Sequence, residues 1–214
     1  MLHIFAFIKR KPKLTIYFDP TEPKIDHTSF TGSNKGDFKD QYRDATEEIP
    51  KHVPKPRGRS VVTTGFVDAS HAPDKKTRRS HSGFVLFVNR APIIWYSKRQ
   101  STVETSTFSS ELIALKTCME HIVALRFKLR MFGIPIDGET KVLCDNKSAV
   151  TNCSQLGSSL HKKHNSLAYH AVRWSVAAGI LRVGWIDTNF NIADAFTKRL
   201  TVAQRDKLFG DWTY

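Results

Sequence analysis

Residues 61 to 98 alternate between apolar and polar positions in a way that predicts three β-strands. The segments are VVTTGFVDAS, SGFVLFVN and PIIWYSK, and each is rich in β-branched and aromatic residues. Only short links join them, so we expect an antiparallel meander. The first strand is predicted to end near Asp68.

The next pattern has helical spacing and predicts a long amphipathic helix. It begins near Thr107, where Ser and Thr offer N-cap side chains, and Gly133 and Pro135 predict its end. The apolar positions that define its buried stripe are Leu115, Cys118, Ile122, Leu125 and Leu129.

Two more strands and three more helices are predicted in the remaining chain. TKVLCD and ILRVGWID have the strand pattern, and NKSAVTN, HKKHNSLAYHAVRWSVAAG and NIADAFTKRL have the helical one. With the two consecutive helices between the fourth and fifth strands counted as one unit, the order βββαβαβα predicts an α/β fold with a five-stranded mixed sheet and helices on both faces. Trp95, Trp174 and Trp185 are interpreted as core residues.

Composition divides the chain into three parts. Residues 1–59 are rich in Pro, Asp, Lys and Thr and end in the linker-like EEIPKHVPKPRGRS, residues 60–200 have the compact pattern, and residues 201–214 form a C-terminal tail. The opening MLHIFAFIKRKPK has an apolar run too short to span a bilayer, with its positive charges after it, unlike a signal peptide. We interpret it as the end of a helix that begins upstream, in a longer protein.

Charge changes the picture, because the chain has 33 Lys and Arg against 20 Asp and Glu, a formal net charge of +13. Such an excess favours a polyanionic partner, and we expect nucleic acid rather than a membrane; a basic protein without such a partner is the alternative. The three cysteines show no C-x-x-C spacing. They predict reduced thiols and an intracellular location: cytoplasm, virus-like particle or nucleus.

Four acidic residues occupy matching positions in the predicted elements. Asp68 ends the first strand, Asp145 ends the fourth, and Glu111 and Asp194 lie in the first turns of two helices. Each alone has an ordinary explanation, such as an Asx turn, a helix cap or a favourable helix dipole. If the first and fourth strands are parallel neighbours, however, all four carboxylates meet at one edge of the sheet, where ligand sites form in α/β folds.

Clustered carboxylates repel one another and need cations to remain ionised together. Mg²⁺ prefers such oxygen ligands, and two ions about 4 Å apart can hold a phosphodiester for in-line attack by water. A basic chain with an acidic metal pocket therefore predicts phosphodiester hydrolysis.

With these residues in order, the chain resembles the ribonuclease H region of copia-type retrotransposon Pol polyproteins. The motifs cover roughly residues 60 to 200: GFVDAS, RRSHSGFVLFVN, IIWYSKRQSTVETST, SSELIAL, CDNKSAV, KKHNSLAYHAVR and NIADAFTKRL. Asp68, Glu111, Asp145 and Asp194 resemble the catalytic D-E-D-D set of that family. The segment IFAFIKRKPKLTIYFDP is similar to the connection to an upstream reverse transcriptase domain, which would be a partner in the same polyprotein.

The resemblance implies an endonuclease that cuts the RNA strand of RNA/DNA hybrids during reverse transcription, with two Mg²⁺ ions or Mn²⁺ in their place. Asp68 would bridge both ions, Asp145 would complete the site of the attacking water, and Glu111 and Asp194 would complete the other site. Some members add a His before the last helix, whereas DTNFN here has none. Proton transfer would then rely on water or substrate phosphate.

Basic residues near aromatic ones are the candidates for substrate contact. Arg78 and Arg79 follow the first strand, and Lys98 and Arg99 end the third. Asn146, within CDNKSAV, is assigned to the same nucleic-acid contact. The alternative for the basic residues is a solvated surface.

Two other functions stay open. The chain can be a catalytically silent nucleic-acid-binding retrotransposon remnant. An integrase of the same fold usually has three acids with Glu last, and the order here disfavours it.

Overall fold

The computed structural model describes residues 9–13, 15–32, 35–38, 40–158, 160 and 163–210. Within them, five strands form one sheet in the order β3-β2-β1-β4-β5. β1, β2 and β3 are antiparallel, and β4 and β5 run parallel to β1. The predicted mixed sheet is thereby confirmed. The strands are β1 (Thr63–Ser70), β2 (His81–Val88), β3 (Ala91–Arg99), β4 (Thr140–Cys144) and β5 (Leu181–Trp185).

The α-helices in the described part follow the predicted order with three differences. They are α1 (Thr107–Met131), α2 (Lys147–Ser154), α3 (Ser166–Ala177), α4 (Asp194–Thr197) and α5 (Val202–Phe209). α3 begins at Ser166, after a short 3-10 turn, and residues 161 and 162 of its predicted start lie outside the described residues. α4 is a single turn, and α5 lies within the segment predicted as a tail.

Local chemistry explains where α1 begins and ends. The Ser106 hydroxyl accepts a hydrogen bond from the Ser109 amide at 3.2 Å, so it satisfies a donor that the first turn leaves without a partner. At the other end Gly133 has a φ of +72°, a left-handed conformation that glycine adopts without steric cost. The predicted apolar stripe is buried throughout, which confirms the helical phase.

The side chains on the two faces of β1 have different surroundings. Val67 and Ala69 point into the core beneath α1, whereas Asp68, between them, faces the opposite side. On that side α4 lies close to β2: a Cβ atom added at Gly83, the partner of Asp68 in the ladder, would lie 2.6 Å from Cγ2 of Thr197. Helices therefore cover both faces, and α4 comes close enough to share a site with β1.

Part of the predicted N-terminal extension packs against β5 and α3. Phe30 is buried against Gly184 of β5, and Phe38 is fully buried beneath the Arg173 guanidinium. The division of the chain at residue 59 stays a prediction, and residues 1–8 and 211–214 lie outside the described residues.

A single carboxylate fastens this extension to α1. The Glu47 oxygens accept hydrogen bonds from Nε and Nη2 of Arg126 at 2.7 and 2.9 Å, and from Nη1 and Nη2 of Arg130 at 2.5 and 2.6 Å. Burial alone raises the pKa of Glu47, but the two guanidinium groups outweigh it and lower the pKa to about 2. Such forked, partly desolvated pairs are the strong class of ion pair.

We expect Glu47→Gln to lower the free energy of unfolding near neutral pH by about 2 kcal/mol, because two cations lose their partner. Since the folded pKa lies below the ordinary value of 4.5, the contribution of Glu47 is complete above that pH. It disappears as the pH falls toward about 2, and the difference between variant and wild type shrinks over this window. Urea unfolding at several pH values measures it.

Exposed Glu48 offers the matched control, since Glu48→Gln removes a neighbouring carboxylate of the same type. An equal loss in both variants, or a Glu47→Gln effect that does not change with pH, would contradict the role of the ion pair.

Two further sequence interpretations have opposite outcomes. Cys118, Cys144 and Cys153 are all buried, which confirms the assignment of Cys118 and Cys144 to the core, and the reduced state of the thiols stays a prediction. The assignment of all three Trp residues to the core was wrong: Trp95 is 54% exposed and Trp174 is 37% exposed. Trp95 lies on β3, an edge strand of the sheet.

None of the helices in the described part of the chain combines the length and the apolar character needed to cross a membrane.

Candidate metal and nucleic-acid site

The parallel pairing of β1 and β4 brings two of the predicted acids side by side. Val67 pairs with Cys144, so Asp68 and Asp145, the next residue on each strand, lie at the same level. Asp68 is inside β1 and not at its end, because antiparallel pairing with β2 extends β1 to Ser70. Asp145 directly follows β4, as predicted.

The other two acids come from helices that begin at the same edge of the sheet. Glu111 is the fifth residue of α1, directly after the first turn in which it was predicted, and Asp194 opens α4. Glu111 is held beside a buried hydroxyl cluster: Ser110 Oγ lies 2.8 Å from both His71 Nδ1 and Ser80 Oγ. These contacts fix the first turns of α1 against the loop that follows β1.

All four predicted carboxylates lie in one group. Asp68, Asp145 and Asp194 each offer an oxygen within 4.8 Å of the others, and the same holds for ligand atoms of Glu111, Cys144 and Asp145. Asp145 belongs to both sets and joins them. Residues far apart in sequence therefore form a single acidic centre.

Burial makes it unfavourable for all the carboxyl groups of this centre to be ionised at once. Asp68 is 1% exposed and Glu111 is 5% exposed. Desolvation raises the pKa of Asp68, and it raises the pKa of Glu111 well above its ordinary value, with a further rise from the negative charges of Asp68 and Asp145. A cation is the natural compensation for such repulsion.

One cation in the centre was missed by sequence reasoning. Lys198 Nζ lies 2.7 Å from Asp194 Oδ1 and 3.4 Å from Asp68 Oδ1. The neighbouring Thr197 hydroxyl also donates a hydrogen bond to Asp68 Oδ2. The spacing of four between Asp194 and Lys198 was a signal for an ion pair on one helix face. The sequence near Lys198 contains no pattern that predicts its second contact, with Asp68.

Other polar residues hold the acids in place. Buried Asn191 donates from Nδ2 to the Val67 carbonyl at 3.0 Å and accepts from the Ala193 amide at 3.1 Å, which ties the start of α4 to β1. Thr188 Oγ1 donates to Asp145 Oδ2 at 2.8 Å, and Trp185 Nε1 donates to the Asp145 carbonyl. Thr188 and Asn191 of the segment DTNFN therefore position acids, although the segment has no histidine.

The predicted substrate-contact residues lie at the same edge of the sheet. Arg78 and half-buried Arg79 belong to the loop between β1 and β2, and exposed Lys98 and Arg99 end β3. Arg99 Nη1 lies 3.5 Å from Asp74 Oδ2 in that loop. The Asn146 side chain accepts from the Ala149 amide at 3.0 Å and caps α2. Contact of these residues with nucleic acid stays a prediction.

The donor set fits hard divalent cations. Carboxylate oxygens are the ligands that Mg²⁺ and Mn²⁺ favour, and a centre with raised carboxyl pKa values gains most from a divalent charge. Cys144 does not change this, because burial, followed by the charge of Glu111, raises the pKa of its thiol well above the ordinary value. It stays protonated, and a thiol is a poor ligand.

Comparison with known proteins gives the relatives of this chain. No family model matches it. It is 28% identical over 145 residues to the retrovirus-related Pol polyprotein from transposon RE1 of Arabidopsis thaliana, and 32% identical over 141 residues to that from transposon TNT 1-94 of Nicotiana tabacum. The matches cover 68% and 66% of this chain but only 10% of each polyprotein.

A solved structure supports the fold. The chain is similar to the N-terminal RNase H domain of a Mycobacterium tuberculosis protein, solved as a fusion with maltose binding protein, with a TM-score of 0.50 and 14% identity. The likeness covers 71% of this chain and 99% of that one. The chain therefore has the ribonuclease H fold and is homologous to one segment of the Pol polyproteins of copia-type transposons.

Proposed function

We propose that this chain is a divalent-metal-dependent endonuclease that hydrolyses the RNA strand of RNA/DNA hybrids during retrotransposon reverse transcription. The observation that carries the proposal is the convergence of Asp68, Glu111, Asp145 and Asp194, from two strands and two helices, at one edge of the sheet. Homology to Pol polyproteins supports the setting, in which an upstream reverse transcriptase domain is the natural partner.

In this proposal the four carboxylates would hold two Mg²⁺ ions, with Mn²⁺ as a substitute. The ions would supply a water of lowered pKa and would stabilise negative charge on the departing 3′ oxygen. Asp68 would help to hold both ions, Asp145 would help to hold the ion that supplies the attacking water, and Glu111 and Asp194 would help to hold the ion that stabilises the leaving oxygen. Thr188 and Asn191 keep two of these groups oriented before substrate binds.

The basic residues would hold the hybrid across this edge. Arg78, Arg79, Lys98 and Arg99 lie at the same end of the sheet as the acidic centre, on the side of β2 and β3, where they would contact phosphates of the substrate. These residues contribute to the net charge of +13, which favours binding of nucleic acid of any sequence. Selection of the RNA strand would then rest on contacts to its 2′-hydroxyl groups near the carboxylates.

The proposal is tested with the purified full chain and a set of end-labelled duplexes of one sequence. In Mg²⁺ we expect cleavage of the RNA strand in the RNA/DNA hybrid only, with fragments that end in a 3′-hydroxyl and a 5′-phosphate. DNA/DNA and RNA/RNA duplexes should stay intact, and EDTA should stop the reaction.

Two results would contradict this function. Tight hybrid binding without cleavage in either Mg²⁺ or Mn²⁺ would favour the catalytically silent nucleic-acid-binding remnant. Equal cleavage of RNA in all contexts would indicate a ribonuclease of different specificity.

A further inference from the structure

Lys198 stands apart from the other charged groups around the acidic centre because it lies inside it. Its ammonium contacts both Asp194, four positions before it in the sequence, and Asp68, 130 positions before it. A surface ion pair within one helix would involve Asp194 alone. The contact with Asp68, which is 1% exposed, places a positive charge against the most deeply buried acid of the centre.

We propose that Lys198 is an internal counter-ion that stabilises the metal-free centre and must leave its place before a divalent ion can bind between Asp68 and Asp194. The inference rests on the proposed function, since it assigns a role to Lys198 within the same site. Lys198 is a positioning residue here and not a catalytic one.

The Lys198 ammonium and a divalent ion cannot occupy the space between Asp68 and Asp194 at the same time. Mg²⁺ binds carboxylate oxygens at about 2.1 Å and tolerates little deviation from octahedral geometry. The Lys198 ammonium already lies 2.7 Å from Asp194 Oδ1, so an ion on that oxygen and on Asp68 would lie against the ammonium, at a distance where two cations repel strongly.

The side chain has a route out of the centre. Lys198 is 40% exposed, in contrast to the 1% and 12% of its two partners, and it lies at the C-terminal end of the short helix α4. Four rotatable bonds allow the ammonium to reach water without movement of the backbone. Burial lowers the pKa of Lys198, but the hydrogen bond to Asp194 and the charge of Asp68 outweigh it and raise the pKa, so Lys198 is charged at neutral pH.

Two consequences follow for the free protein. Without metal, Lys198 lowers the repulsion among the carboxylates and stabilises the fold. With metal, the same contacts must be broken, so Lys198 weakens metal binding. A purely structural lysine would show the first effect without the second.

The test compares Lys198→Met with Lys116→Met in the full chain. Lys116 forms the same kind of pair, with Nζ 2.6 Å from the Glu120 carboxylate four residues later and with 36% of the side chain exposed, but it lies on the outer face of α1. Mn²⁺ binding is measured by calorimetry without nucleic acid, and thermal unfolding is measured in EDTA.

We expect Lys198→Met to bind Mn²⁺ about tenfold more tightly than wild type and to unfold at a lower temperature in EDTA, because one ammonium no longer opposes the ion or screens the acids. Lys116→Met should change neither quantity. If Lys198→Met fails to fold, Lys198→Gln keeps a hydrogen-bond donor without the charge and should bind Mn²⁺ more tightly as well.

The outcomes separate this inference from the proposed function. Mn²⁺ binding that is unchanged or weaker in the folded Lys198 variant, while Asp145→Asn still abolishes it, would overturn the counter-ion role and leave the metal site intact. Equal Mn²⁺ binding by wild type and Asp145→Asn would instead remove the metal site, and both proposals with it.

Discussion

Asp145→Asn is expected to reduce cleavage of the RNA/DNA hybrid by on the order of 10³-fold, with little change in hybrid affinity or stability. Asp145 is the residue shared by both groups of ligand atoms, so its charge affects every ion that the centre would hold. The substitution keeps the size of the side chain. Its oxygen can still accept from Thr188, and the Asp145 carbonyl can still accept from Trp185.

Stability is the useful second measurement in this experiment. Removal of one negative charge from a crowded group lowers repulsion, so the variant should be at least as stable as wild type in EDTA. A loss of activity that comes with unfolding would therefore point to a structural role for Asp145.

Asp187→Asn is the matched control. Asp187 lies in the same segment after β5, and its Oδ1 accepts from the Asn189 amide at 2.8 Å, which is a local turn contact. An amide oxygen can make the same contact, so activity should stay within about twofold of wild type, as for a neutral surface change. Equal losses in both variants would contradict the assignment of Asp145 to the metal site.

The acidic centre shows what a sequence pattern can predict. β1 and β4 were recognisable by composition, and a crossover that makes them parallel neighbours is the usual one, so the meeting of Asp68 and Asp145 could be expected. The position of Glu111 was less certain, because helix α1 begins at a cap whose place among several Ser and Thr residues is ambiguous. It is the fifth residue of the helix, directly after the predicted first turn.

What could not be predicted depends on single side chains that meet across the fold. Lys198 has a visible spacing from Asp194, yet its contact with Asp68 exists only because α4 lies close to Gly83 of β2. Phe30 and Phe38 come from segments without any periodic pattern, and each docks by one ring. Such contacts leave no repeat in the sequence that a helical or strand template could detect.

Trp95 is a residue for which a prediction was made and was wrong. Its strand was predicted correctly, but its assignment to the core was wrong, because 54% of the residue is exposed. The strand order places β3 at the edge of the sheet, and strand order is a property of the whole topology, not of the local sequence.

Arg173→Met is expected to lower the free energy of unfolding by about 3–5 kcal/mol, the largest effect on stability that the structure indicates. Arg173 is 1% exposed. Its Nη1 donates to the carbonyls of Asn152 and Gln155 at 2.9 and 2.7 Å, and its Nη2 donates to Gln41 Oε1 at 2.7 Å. The guanidinium also lies over the Phe38 ring, 4.9 Å from its centroid.

These contacts explain why the loss should be large. The guanidinium joins three parts of the chain: α3, the end of α2 with the segment after it, and the N-terminal extension. Met can fill much of the volume but satisfies none of the carbonyls, and buried acceptors without a donor are costly. Arg173→Lys should recover little, because one ammonium cannot reproduce a planar fork that reaches both sides.

Denaturant unfolding of Arg173→Met, Arg173→Lys and a surface control, Arg59→Met, tests this role, and the exposed control should lie within about 0.5 kcal/mol of wild type. Limited proteolysis adds a local measurement. If Arg173 holds the extension through Gln41 and Phe38, cleavage between residues 40 and 60 should become faster in Arg173→Met before the sheet unfolds. A variant as stable and as protected as wild type would mean that Tyr169, whose hydroxyl donates to the Ser158 carbonyl at 2.7 Å, is enough to hold the segment after α2.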